Sequence, residues 1–186
     1  MIVLLVSILT LIPDQSSAQI SIEGVTLPAT FHTQSQKLIL NGGGLREKLW
    51  FDLYVGGLYL QEKSSDDASI VSADQPMAMR LHIISSMITS EKMAEATLEG
   101  FEKSLDGSFG DLEKTIHQFV EVFKLEAIVE GDIFDLVYIP GKGVLTYKND
   151  KLLETNTGMD FKKALFGIWL SDDPVDKKLK AGMLGK

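Results

Sequence analysis

The chain has no cysteine among its 186 residues. That excludes a disulfide framework, a thiolate nucleophile, a cysteine-based zinc site and a lipidated-cysteine anchor. Proline is scarce, with 5 in all, and no repeat, low-complexity tract or linker interrupts the sequence. Histidine is scarcer still: His32, His82 and His117 stand far apart and make no H-x-H or H-E-x-x-H pattern. Each reads as an ordinary surface or core histidine. The acids show neither EF-hand nor other metal-ligand spacing, so no metal and no other cofactor is expected. Positive charge is short too, with 18 Lys and Arg against 26 Asp and Glu and a net charge of −8. Nucleic acids and anionic membrane surfaces both require basic patches, and neither is expected as a partner. Lys177, Lys178 and Lys180 are too few to suggest membrane docking on so acidic a chain.

Long apolar runs are limited to one, MIVLLVSILTLI at the N-terminus, which is too short to span a bilayer. Pro13, the polar Asp14-Gln15-Ser16-Ser17 and then Ala18-Gln19 follow it. A short apolar region, a breaker and small residues make residues 1–18 a secretory signal peptide with cleavage near Ala18. No Lys or Arg precedes the run, and a buried N-terminal strand is the alternative. The expectation is therefore a mature domain of residues 19–186, periplasmic or secreted, with no stable membrane anchor after cleavage. Loss of Asp14 would leave that domain one acid poorer, at −7. Its length suits one domain with its own core, and a monomer is expected.

What is present is concentrated in residues 41–60, NGGGLREKLWFDLYVGGLYL. The triple glycine reads as a turn leading into a strand. Alternation then places Arg46, Lys48, Trp50, Asp52 and Tyr54 on one face and Leu49, Phe51, Leu53 and Val55 on the core face. A face mixing aromatics with a fixed cation suits the floor of a site for an apolar anion, or equally a sheet edge with amphipathic aromatics near water. The pattern changes face at Gly56-Gly57, as at a bulge. Further strands are expected at residues 20–27, 37–41, 77–84, 133–139, 143–148 and 152–155. Helices are expected around Ala94–Leu105, Leu112–Phe123 and Phe161–Trp169, with a fourth beginning at Pro174 behind an Asp173 N-cap. Strands, two helices, strands, two helices give an α+β domain with helices packed on one face of a mostly antiparallel sheet.

Four segments, Gly44–Lys48, Leu53–Leu60, Tyr138–Gly143 and Asp160–Asp176, together resemble the chalcone isomerase-like family, and most of all its bacterial, exported branch. The resemblance implies an open-faced β-sandwich, a large antiparallel sheet with helices layered on one face and a cleft between. Plant isomerases of this family close a chalcone to a flavanone, with an arginine holding the phenolate. Hydroxyl and amide side chains there polarise the ketone. Non-catalytic relatives bind fatty acids, with an arginine and a tyrosine near the carboxylate. By position, Arg46 matches the arginine, and Tyr54 the site that is threonine in the isomerases and tyrosine in the fatty-acid binders. Ser90-Glu91-Lys92 matches a family motif, but Thr89 replaces the tyrosine before it and Ala96 the asparagine beyond it. Three of the four catalytic positions are thus substituted, and no catalytic residue is assigned.

The reading is a non-catalytic binder of an apolar carboxylate such as a fatty acid, with Arg46, Tyr54, Trp50 and Thr89 as its ligand-binding residues. An isomerase using Tyr54 and Thr89 as hydroxyl donors is one alternative. A ligand-free interaction module, with Arg46 merely paired to Glu47, Asp52 or a C-terminal acid, is the other. A straight strand would separate Arg46 from Tyr54 by roughly 27 Å. Either the chain bends near Lys48–Trp50, or the two residues serve different points of a long groove.

Overall fold

In the computed structural model, residues 18–33 and 36–186 are described. The expected signal peptide lies outside them but for Ala18. Strands β1 (Ile20–Ile22) and β2 (Val25–Leu27) form a small hairpin where one continuous strand was expected. Glu23 and Gly24, both at positive φ, make its turn. A seven-stranded sheet follows: β3 (Thr30–His32), β4 (Lys37–Lys48), β5 (Phe51–Leu60), β6 (Met77–Ile83), β7 (Ile133–Ile139), β8 (Gly143–Lys148) and β9 (Lys151–Asn156). Its strands lie in chain order and every neighbouring pair is antiparallel.

Five helices join them: α1 (Asp67–Ser72), α2 (Ser90–Ser104), α3 (Glu113–Glu121), α4 (Met159–Leu170) and α5 (Lys177–Met183). Apolar residues from all of them merge with Leu58, Met79, Leu81, Phe134 and Leu136 into one core on a single face of the sheet. The α+β class with helices on one face is what the sequence predicted. The other face packs Val55, Tyr59, Ala78 and Val137 against Val25 and Leu27 of the small hairpin. Helix α1 was not foreseen; at six residues it is too short to show a periodic stripe.

Three details of the 41–60 segment differ from the expectation. The triple glycine is no turn: Gly42, Gly43 and Gly44 lie inside β4, opposite Leu58, Gly57 and Gly56. They are glycine because other backbone comes so close. A Cβ at Gly42 would collide with the Gly182 carbonyl of α5, one at Gly43 with Leu27, and one at Gly44 would sit 3.3 Å from Leu179 Cα. The real turn is at Leu49-Trp50, so the expected single strand is two, and Leu49 stands exposed at φ +60° instead of in the core. Finally, the face switches at Leu53, not at Gly56-Gly57. Arg46 pairs with Tyr54 while Glu47 pairs with Asp52, which leaves Leu53 as the extra residue of a bulge.

The fourth helix begins later than expected. Its cap is Asp176, whose Oδ1 accepts from Lys178 N at 2.8 Å and Leu179 N at 3.1 Å. Asp173 instead reaches the exposed Lys103 at 3.7 Å. Two backbone donors aligned on Asp176 outweigh the preference of Pro174 for a first helical turn.

Candidate functional site

A cavity of about 580 Å³ lies between the sheet and the helices. Its floor is Tyr54 of β5, Leu81 of β6, and Phe134 and Leu136 of β7. Its roof comes from Met93, Ala96, Thr97 and Gly100 of α2, Phe119 of α3 with Phe123 just beyond it, and Leu165, Ile168 and Trp169 of α4. These walls follow from the sequence directly. Alternate residues of β6 and β7 face the helices, and apolar residues three and four apart on each helix face the sheet. The cavity reaches the surface at Lys48, Leu49, Phe51, Met87 and Lys92, all exposed.

Arg46 lines this cavity beside Tyr54. The hairpin makes the two direct cross-strand partners, which resolves the eight-residue separation by a turn. Arg46 Nη1 donates to the Glu47 carbonyl oxygen and to Asp176 Oδ2, the latter at 3.2 Å. The Arg46 and Asp176 side chains are only 17% and 11% exposed, so this ion pair is shielded from water. Asp176 Oδ2 also accepts from the Glu47 backbone N–H at 3.3 Å. One carboxylate therefore caps α5, ties it to β4 and fixes the guanidinium at the cavity wall.

Tyr54 is buried, and its hydroxyl oxygen accepts from Trp169 Nε1 at 2.8 Å. Burial pushes its pKa up to about 12, against smaller downward pulls from the Trp169 N–H and the Arg46 charge. The phenol is thus neutral at ordinary pH. With its oxygen taken by donors, its own hydrogen is available to an acceptor in the cavity.

The other two predicted residues are elsewhere. Trp50 is 93% exposed on the β4–β5 turn, outside the cavity lining, because the chain reverses there instead of continuing as a strand. Thr89 is the N-cap of α2, its Oγ1 accepting from Lys92 N at 3.3 Å, and it too lies outside the lining. Ala96, expected in place of an asparagine, does line the cavity. From sequence, Trp169 reads as a core residue that in this fold could also roof the cleft, where it stands, and Asp176 is not singled out among the C-terminal acids. The only signals for them were a buried-type indole needing an acceptor and an acid with a helix-capping position. Among the described residues, no group of three or more His, Asp or Glu is placed to hold a metal ion. Nor is any helix there long and apolar enough to cross a membrane.

The chalcone isomerase-like family model matches residues 18–185. The chain belongs to that family. Among solved structures, the chalcone isomerase-like chain is similar to a fatty-acid binding protein of Arabidopsis thaliana, with a TM-score of 0.74 and 18% identity. The match covers 90% of this chain and 96% of that one. At that identity the likeness is one of fold. No curated protein matches the chain.

Proposed function

We propose that this chalcone isomerase-like protein is a non-catalytic binder of an apolar carboxylate, a fatty acid or a compound like it, acting outside the cytoplasm. The observation that supports this most is the pairing of Arg46 and Tyr54 on the wall of a cavity whose buried floor and roof are mainly apolar. Nη1 of Arg46 is engaged by Glu47 and Asp176, which leaves the Nη2 and Nε donors of the fork for Tyr54 and for a carboxylate. The Tyr54 hydroxyl adds a neutral donor to the same group. Ten buried methylenes would contribute roughly 8 kcal/mol before the costs of ordering the chain. The fold shared with a fatty-acid binding protein agrees with such a ligand.

Two placements favour binding over isomerisation. Ala96 presents a methyl group where ketone polarisation needs a polar one, and Thr89, at the start of α2, lies outside the cavity lining. The exported setting, and with it a bacterial source, rests on the N-terminal apolar run and the absence of cysteine. Cleavage near Ala18 is tested by sequencing the N-terminus of the protein recovered from its host.

Native mass spectrometry of the purified protein, with titration of a long-chain fatty acid against wild type and Arg46→Ala, tests the binding. The expected result is a copurified or titratable carboxylate and at least a tenfold weaker Arg46→Ala complex. No bound lipid, together with equal affinity in the variant, would overturn the reading.

A further inference from the structure

At the mouth of the cavity the chain exposes what globular surfaces ordinarily cover. Leu49 is 83% exposed, Trp50 93% and Phe51 46%, three apolar residues in a row at the tip of the β4–β5 hairpin. Met87, 39% exposed, stands at the same mouth from the loop before α2. Leu49 and Phe51 are at once surface and cavity lining, so the apolar interior continues outward onto the tip between the charged residues of the mouth. Leu49 holds φ +60°, a conformation a leucine adopts at a cost, and its side chain is offset by no burial.

We infer that this tip is a lip that inserts into the interface of a zwitterionic lipid bilayer, and that the fatty ligand passes over it between membrane and cavity. The inference rests on the binder reading above and adds the source of the ligand. Three observations select a bilayer as the occupant. The first is area. Three side chains on a convex turn offer on the order of 450 Å², well short of the roughly 800 Å² per partner in a standard protein interface. A bilayer demands no matching surface. The second is residue type: tryptophan at the tip, flanked by leucine and phenylalanine, suits the level of the headgroups. The third is charge. Lys48 and Lys92 line the mouth, but Glu95 lines it too, and Glu47 and Asp52 pair beside the turn. Local charge nearly cancels on a chain of −8, which favours neutral headgroups over anionic ones.

The test is flotation of the purified chain with phosphatidylcholine vesicles, at about 0.1 M and about 1 M salt. A parallel measurement follows transfer of a fluorescent fatty acid from those vesicles. Wild type is expected to float at both salt concentrations and to extract the probe. Trp50→Ser is expected to lose vesicle binding and transfer rate at least tenfold, while its equilibrium affinity for the same fatty acid in vesicle-free buffer stays unchanged. Several results would overturn the lip: no vesicle binding by wild type, unaltered transfer in Trp50→Ser, or a lipid-free dimer that Trp50→Ser converts to monomer. Vesicle-free uptake that survives any of these leaves the binder reading standing. Failure of uptake in buffer, with vesicle binding intact, overturns both the binder and the lip as its loading route.

Discussion

Arg46 and Tyr54 face each other across the β4–β5 hairpin, one residue short of the bulge at Leu53. Their adjacency depends on both features. The turn at Leu49-Trp50 folds the strand back, and the bulge places Tyr54 on the helix-covered face with Arg46. Each of the two is held from the C-terminal helices, Arg46 by Asp176 and Tyr54 by Trp169.

Replacing Arg46 separates affinity from stability. Arg46→Lys keeps the charge but not the planar fork, and is expected to weaken fatty-acid binding about tenfold. Asp176 retains its three backbone N–H bonds in either variant, so the cost in unfolding free energy is expected to stay near 1–2 kcal/mol even for Arg46→Ala. Calorimetric titration and urea unfolding measure the two.

Tyr54→Phe removes one oxygen and orphans the Trp169 N–H inside the core. An unsatisfied buried donor costs about 1–3 kcal/mol. Urea denaturation is expected to report that loss, and titration a roughly tenfold weaker carboxylate complex.

Alkaline pH acts on the same phenol. Burial raises Tyr54 from 10.0 to about 12, so the neutral form is favoured in the folded chain. Its contribution, roughly 2–3 kcal/mol at about 1.4 kcal/mol per unit, is complete below pH 10 and lost as pH climbs through about 12. The urea midpoint of wild type is expected to fall over that window, and that of Tyr54→Phe to fall less.

How far this was readable in advance varies with the residue. The β6 face of Met77, Met79, Leu81 and Ile83 was plain, because a period of two sustained over seven residues matches a strand and no helix. The Arg46–Tyr54 neighbourhood was not. No Gly, Asn or Asp marks Leu49-Trp50 as a turn, and the glycines that do look like one serve close packing instead. Trp50 and Thr89 were assigned to the site by alternation and by a motif, whereas a reversal exposes one and a helix start employs the other. A C-terminal acid was among the partners expected for Arg46, but with 130 residues between them in sequence nothing singled out Asp176.

Gly42→Ala tests that packing. Its methyl would meet the Gly182 carbonyl and push α5 from the sheet. Destabilisation of about 1–3 kcal/mol is expected, with weaker ligand binding because Asp176 moves with the helix. Thermal unfolding and fatty-acid titration read the two effects.

Lys162 is a separate test of the helical layer. Fully buried, it donates through Nζ to the carbonyls of Ile70, Val71 and Ala73, at 2.9, 2.6 and 3.0 Å, closing the end of α1. Burial lowers its pKa to about 8, helped by the neighbouring Lys163 charge and opposed by Asp74. Lys162→Ala leaves them unpaired and opens a void, and is expected to cost about 3 kcal/mol or more. Limited proteolysis should then cut first near α1.

The long interval between Arg46 and the acid that positions it has a temporal side. At about 5–20 residues per second, a ribosome takes on the order of ten seconds to travel from one to the other. For that span the guanidinium has no anchoring carboxylate. A nascent chain thus acquires a fixed guanidinium at its cavity wall only as synthesis reaches α5.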